Sequence, residues 1–246
     1  MAEARKSGAK GRGIFREVFG DMPMPDRLES FDPAYDDYWE ERGREGILTD
    51  PAIRRTKSIL DYIDDGDSVL DVGCGTGETL GLLREEKGIS GTGLDISSRA
   101  LEKVREMGFE TLKMDITSSQ TLLDGQWDHI VAFEVIEHVL DAEVLMRNLD
   151  GHFRKGLYIT TPNLGYIAHR LRLAFGRFPV TYMMDPREHI RFWTTKDFKC
   201  WADEVGLGIP EVRGLRGKVK LLGVHKRWPS LFASEVLYRF IPHDIP

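Results

Sequence analysis

The chain reads as a doubly wound α/β domain built on one mostly parallel sheet, and three observations carry that reading. Short apolar runs alternate with stretches of helical periodicity, the order that crossover helices and a parallel sheet require. Three successive runs close on an acid, namely Asp71, Asp95 and Asp115. The first of them, Val69-Leu70-Asp71-Val72, then passes straight into glycines at alternate positions, Gly73, Gly75 and Gly77. In such a sheet ligands gather outside the carboxyl ends of the strands, so acids and glycines at those ends mark a binding crevice.

The elements follow in order. Residues 51–62 read as a helix leading into the first strand, with Pro51 near its start and Ile53, Ile59, Leu60 and Ile63 at helical spacing. Further helices are expected over 77–86 and over 97–107, the latter capped by Ser97. The second strand covers Gly91-Thr92-Gly93-Leu94-Asp95-Ile96 and the third ends at Thr111-Leu112-Lys113-Met114-Asp115-Ile116. Residues 127–135 and 156–161 supply the fourth and fifth. A helix over 194–205 is capped by Thr194 or Thr195, with Asp197 in its first turn. The tail, 209–214 and 231–241, would add a last antiparallel pair and bring the sheet to seven strands. No internal repeat is visible.

With 246 residues, 41% of them hydrophobic, the chain can bury one large core. Residues 1–30 are expected to be a loosely ordered segment and 31–246 to form a single domain. A net charge of −6 argues against a wholly basic surface for nucleic acid. The two cysteines, Cys74 and Cys200, do not make a disulfide framework and favour a cytoplasmic address. The polar, glycine-rich start shows no signal peptide, and no apolar run reaches the length of a membrane span.

The glycine spacing decides the kind of ligand. It is G-x-G-x-G, whereas a dinucleotide site needs G-x-G-x-x-G, and no Gly-Lys-Ser/Thr follows to make a P-loop. What fits is a nucleoside without a phosphate chain. Asp95 lies about twenty residues beyond the glycines, where a carboxylate can accept both ribose hydroxyls.

This stretch, Val69 to Gly77, resembles the first motif of the class I S-adenosylmethionine (SAM) methyltransferases, whose Rossmann-like fold is the one deduced above. The resemblance implies SAM as cofactor. It also implies that Asp71, Gly73, Cys74, Gly75 and Gly77 cradle it, with Asp95 and Ile96 at the ribose and Phe133 at the end of the fourth strand. Asp115 would meet the adenine amino group, and Ile116 would pack on the ring and offer its amide.

The fourth strand continues Phe133-Glu134-Val135-Ile136-Glu137-His138. Two carboxylates and an imidazole within five residues can supply three ligands to a divalent cation. Oxygens suit magnesium or manganese, and the imidazole tilts the choice toward manganese, iron or zinc. His189 is a fourth candidate. The Glu-x-x-Glu-His run and a later histidine resemble the ubiquinone-biosynthesis O-methyltransferases and the small-RNA 3′-terminal 2′-O-methyltransferases. That resemblance implies a metal at Glu134, Glu137, His138 and His189, and an oxygen acceptor that is a small molecule, a lipid-like hydroxyl or an RNA end. The metal-free alternative is that Glu134 or His138 acts as a general base. His129, His152, His169, His225 and His243 are expected to be surface or hydrogen-bonded residues.

Residues 164–193, after the fifth strand, make a connection longer than usual and so should choose the substrate. Leu164 to Phe178 combines aliphatic and aromatic residues with Arg170, Arg172 and Arg177, the pattern of a short basic amphipathic helix. It would serve as a lid over the crevice, as a peripheral membrane contact, or as a protein-partner surface through 164–180. The run Pro162-Asn163 to Thr181 is also similar to the MetW-like family, which implies the alternative of a SAM-binding accessory subunit without turnover. The Glu-x-x-Glu-His cluster departs from that family and argues for catalysis. Upstream, Tyr38 or Trp39 would cover the sulfonium or anchor its own segment. The basic run Arg213, Arg216, Lys218, Lys220, Lys226 and Arg227 reads as the solvated edge of the last strands, with RNA as the alternative.

Overall fold

The computed structural model describes residues 18, 49–118, 123–179, 189–217 and 223–242. The expected boundary near residue 30, the Tyr38 and Trp39 pair, Lys218, Lys220 and His243 lie outside the described residues.

Helix α1 (Asp50–Lys57) precedes β1 (Ser68–Val72), and α2 (Glu78–Lys87), β2 (Ser90–Asp95), α3 (Ser98–Glu106) and β3 (Glu110–Lys113) follow. Next come β4 (Trp127–Phe133), α4 (Ala142–Leu149), β5 (Phe153–Pro162) and α5 (Ile167–Ala174). The described chain closes with α6 (Thr195–Val205), β6 (Glu211–Arg216), α7 (Val224–Arg227), α8 (Pro229–Phe232) and β7 (Glu235–Phe240). The seven strands lie in the order β3-β2-β1-β4-β5-β7-β6. β1 to β5 pair in parallel, and β7 runs antiparallel to both of its neighbours. This is the doubly wound, mostly parallel sheet that the sequence predicts.

The central strands β1 and β4 are covered on both faces, which is why their middle positions are apolar, whereas the edge strand β3 (Glu110–Lys113) is not buried along its length. In β1, Leu70 and Val72 enter one core cluster while Val69 enters the other. In β4, Ile130 and Ala132 take the first side and Val131 the second. Register aligns the strand ends: Asp71 pairs with Gly93 and with Val131. The carboxyl ends of β1, β2 and β4 therefore open on one crevice.

Three helices, α1, α3 and α6, start at a side-chain cap. Ser97 Oγ accepts from the Ala100 amide at 3.1 Å, and Thr194 Oγ1 accepts from that of Asp197 at 3.2 Å. Several expectations shift. The first helix stops at Lys57 and resumes only as a 3₁₀ turn over Leu60–Tyr62. β3 ends at Lys113, so Asp115 lies beyond it. β4 ends at Phe133, because Glu134 turns into the left-handed region at φ 55°. Leu231 belongs to α8 rather than to a strand, since the Asn163 side-chain amide donates to the Pro229, Ser230 and Ala233 carbonyls at 3.2, 3.2 and 2.8 Å.

Candidate active site

The glycine turn is pinned to β2 by two bonds, from the Gly73 and Cys74 amides to the Leu94 carbonyl at 2.8 and 3.1 Å. All three glycines adopt positive φ, at 67°, 53° and 87° for Gly73, Gly75 and Gly77. A Cβ on Gly73 would stand 2.6 Å from Val135 Cγ2, so only glycine lets the turn lie against the end of β4. Donor cradle and Glu-x-x-Glu-His segment are thereby placed side by side.

Asp95 bridges the turn to the next helix. Its Oδ2 accepts from the Gly75 amide at 3.0 Å and its Oδ1 from the Ser97 amide at 2.9 Å. Each carboxylate oxygen can accept further bonds. Ile96 beside it keeps an exposed side chain. Asp71 is buried beneath the turn, and burial, with the negative charges of Glu78 and Asp95, pushes its carboxyl well up. Burial also pushes the Cys74 thiol up, and its sulfur fills the space left by Gly93. Asp115 Oδ1 accepts from the Thr117 amide at 3.0 Å and hydroxyl at 2.6 Å. Ile116 is buried, and its carbonyl accepts from Asn148 Nδ2 at 2.7 Å. Phe133 is half-buried against the second core cluster.

The structure brings Glu137, His138 and His189 together: one ligand atom from each lies within 4.8 Å of the others. The rings of His138 and His189 are 4.8 Å apart between centroids. Glu137 is buried, and both of its carboxylate oxygens lack a hydrogen-bond partner. Burial, then the charge of Glu134, pushes its carboxyl well above the usual range. His138 Nε2 stands 3.9 Å from Glu137 Oε1, beyond hydrogen-bond reach, and a buried carboxylate without hydrogen-bond partners costs free energy unless it is protonated or meets a cation.

Glu134 stands apart from that trio, turned toward helix α1. Its Oε2 lies 3.8 Å from Arg55 Nη1, and Arg55 in turn bonds Glu235 Oε1 at 3.2 Å. Burial, with help from Glu235 and against Arg55, pushes the Glu134 carboxyl up to about 7. Sequence reasoning missed Arg55 and Glu235, which are 180 residues apart and meet only in the fold. No local pattern signals them.

Among the other histidines, His129 is buried between Asp67 and Tyr158, and His169 is buried with Nδ1 2.9 Å from the Asn163 carbonyl oxygen. His225 departs from expectation, since its Nδ1 is buried without a hydrogen-bond partner. In the insertion, α5 buries one of its two arginines, Arg172, and leaves Arg170 exposed. Arg172 is 1% exposed, donating to the Phe178 and Val18 carbonyls at 2.8 and 3.1 Å, while Leu171, Phe175 and Phe178 face out. The basic run is partly committed as well, because Arg213 donates to the Ser58 carbonyl and to the Tyr62 hydroxyl.

A methyltransferase-domain family matches residues 38–212, and the chain belongs to that family, the class I SAM-dependent methyltransferases. Methyltransferase GfsG of Streptomyces halstedii is 30% identical over 48% of this chain, and the match spans 46% of that protein. Ubiquinone biosynthesis O-methyltransferase of Rickettsia felis is 24% identical over 76% of this chain and 82% of its own length. Among solved structures, a SAM-dependent methyltransferase from Archaeoglobus fulgidus aligns with a TM-score of 0.60 at 18% identity, over 83% of this chain and all of the other. That last likeness concerns the fold.

Proposed function

We propose that this protein transfers the methyl group of SAM to a hydroxyl oxygen of a small or lipid-like acceptor, with Glu137, His138 and His189 holding a divalent cation beside it. The observation that carries the proposal is the buried Glu137 carboxylate, both oxygens without a hydrogen-bond partner, next to two imidazoles. A set of one carboxylate and two imidazoles suits manganese, iron or zinc better than magnesium. When bound, such a cation lowers the pKa of an acceptor hydroxyl.

The chain's own residues would do the rest. Asp95 accepts the ribose hydroxyls while its Gly75 bond keeps the turn closed, and the exposed Ile96 side chain gives the nucleoside an apolar wall. Asp71, Gly73, Cys74, Gly75 and Gly77 shape the cradle, Asp115 and Ile116 face the adenine, and Phe133 closes the β4 side. Displacement at a methyl already activated by sulfur needs mainly alignment of nucleophile and methyl, which the contact of Gly73 with Val135 supports. The outward apolar face of α5, with Arg170 and Arg177 beside it, supports contact with a lipid surface or partner that presents the acceptor.

A second reading has its own observation. The Glu134 carboxyl, raised to about 7 and set on a left-handed backbone at φ 55°, is suited to act as a general base without a metal. Methyl transfer to a catechol probe, measured with chelator and after manganese addition, separates the two. Activity lost in chelator and restored by manganese supports the cation, and full activity in chelator supports Glu134 or His138 as base. SAH binding without turnover on catechol, on lipid-tailed phenols or on an RNA 3′ end would favour the accessory-subunit alternative. Turnover on the RNA end alone would favour RNA 2′-O-methylation.

A further inference from the structure

His189 reaches the cluster from residues 189–192, which have no regular secondary structure, whereas Glu137 and His138 stand on a 3₁₀ turn. A ligand on an irregular segment is held in place only if its neighbours are fixed from elsewhere. We infer that Arg191, Glu143 and Trp201 form a positioning latch that sets His189 against Glu137 and His138. The inference rests on the metal reading for its functional consequence.

Three sets of bonds make the latch. The Ile190 and Arg191 amides donate to the Glu137 carbonyl at 3.0 and 3.2 Å, joining the segment directly to the turn. The Arg191 side chain then grips the connection that follows His138. Its Nε donates to the Leu140 carbonyl at 3.0 Å, and Nη1 and Nη2 donate to Glu143 Oε1 and Oε2, each at 2.7 Å. That fork-to-fork pairing fixes orientation as well as distance. Finally, the Trp201 indole on α6 donates to Glu143 Oε1 at 2.8 Å, the oxygen that Arg191 Nη1 also bonds. Beyond His189, the Leu164 amide donates to the Trp193 carbonyl at 2.9 Å and ties down the other end.

None of the three latch side chains belongs to the cluster, so they act through the backbone of His189. The side chains of Arg191 and Glu143 are half-buried, 26% and 35% exposed, and a bidentate pair of this kind also adds some stability. Geometry explains more: one guanidinium ties the His189 segment at once to the chain after His138 and to the first turn of α4. Lysine offers no such fork.

The test compares wild type with Arg191→Lys, Glu143→Gln and the milder Trp201→Phe, which removes only the indole donor. Histidine-selective NMR of the metal-free protein should show cross-relaxation between the His138 and His189 rings, strong in wild type and weakened in all three variants. Manganese affinity should fall about 10–100-fold in Arg191→Lys and Glu143→Gln, with SAH affinity unchanged. The double variant Glu143→Gln with Arg191→Lys should be no worse than either single one. Unchanged ring contact in all three variants overturns the latch, whatever manganese does. A wild type that shows the ring contact, loses it in the variants and binds no manganese upholds the latch and overturns the metal reading instead.

Discussion

The two ends of the sheet carry the same kinds of side chain in opposite states. At the amino ends, Asp67, His129, Tyr158 and Lys155 form a closed network. Asp67 Oδ2 meets His129 Nε2 at 2.8 Å, Lys155 Nζ donates to Asp67 Oδ1 at 2.7 Å, and the Tyr158 hydroxyl lies 3.3 Å from His129 Nδ1. At the carboxyl ends, Glu137, His138 and His189 converge around a carboxylate that has no hydrogen-bond partner. Burial raises both acids, but at Asp67 the bonds from Lys155, the Asp64 amide and His129 together outweigh it and hold the carboxyl below its usual value. At Glu137 nothing of that size opposes burial. The amino end is a closed hydrogen-bonded network, and the carboxyl end holds the residues that the proposed cation would bring together.

The contrast predicts opposite outcomes for the same chemical change. Glu137→Gln should lower methyl transfer at least about 100-fold while leaving the fold about as stable, because a group without hydrogen-bond partners is replaced by a neutral one of the same shape. Asp67→Asn should leave transfer per folded molecule unchanged and destabilise by about 1–3 kcal/mol, the usual cost of leaving a buried polar group without its partner. Chemical denaturation and activity on the same samples check both. Similar losses of stability in the two variants would break the comparison.

The pH dependence is a smaller effect with a definite sign. The folded Glu134 carboxyl titrates near 7, above its ordinary 4.5, so between those values the folded chain holds a proton that the unfolded chain has released. Stability from this group is therefore full below 4.5 and declines as pH rises toward 7. Glu134→Gln should flatten that decline in a thermal melt series. If Glu134 serves as base, turnover of the wild type should climb through the same window and level off above it. The smallest expected effect is at the cysteines. Cys74→Ala and Cys200→Ala should leave transfer largely intact, since the Cys74 thiol is raised and Cys200 is an exposed free thiol.

How legible the molecule is from its sequence follows the same division. The sheet, its caps at Ser97 and Thr194 and the last antiparallel pair are readable, because they rest on local periodicity and turn chemistry. The glycine turn is readable because positive φ at alternate positions leaves a direct mark on residue choice. The limits of β4 and α8 are not. A left-handed Glu134 and an Asn163 that bonds three carbonyls of a segment about seventy residues away are tertiary effects without a local pattern. At the site, Glu137, His138 and His189 could be named from spacing and residue type. Glu134 instead faces Arg55, which bonds Glu235 180 residues away, a tertiary meeting without a local pattern. Helix α5 shows the same limit, since helical spacing predicts one apolar and one basic side and leaves open which of them is buried. Arg172 is buried through bonds to the Phe178 and Val18 carbonyls, neither of them in the helix.

The central claim is that the carboxyl-end cluster is a cation site distinct from the donor cradle. The most direct measurement is calorimetric titration of manganese into the SAH-saturated protein, for wild type and Glu137→Gln. The account predicts one manganese per chain in wild type, loss of that binding in Glu137→Gln, and equal SAH affinity in the two. No manganese binding by the wild type, or binding that Glu137→Gln leaves intact, would contradict it.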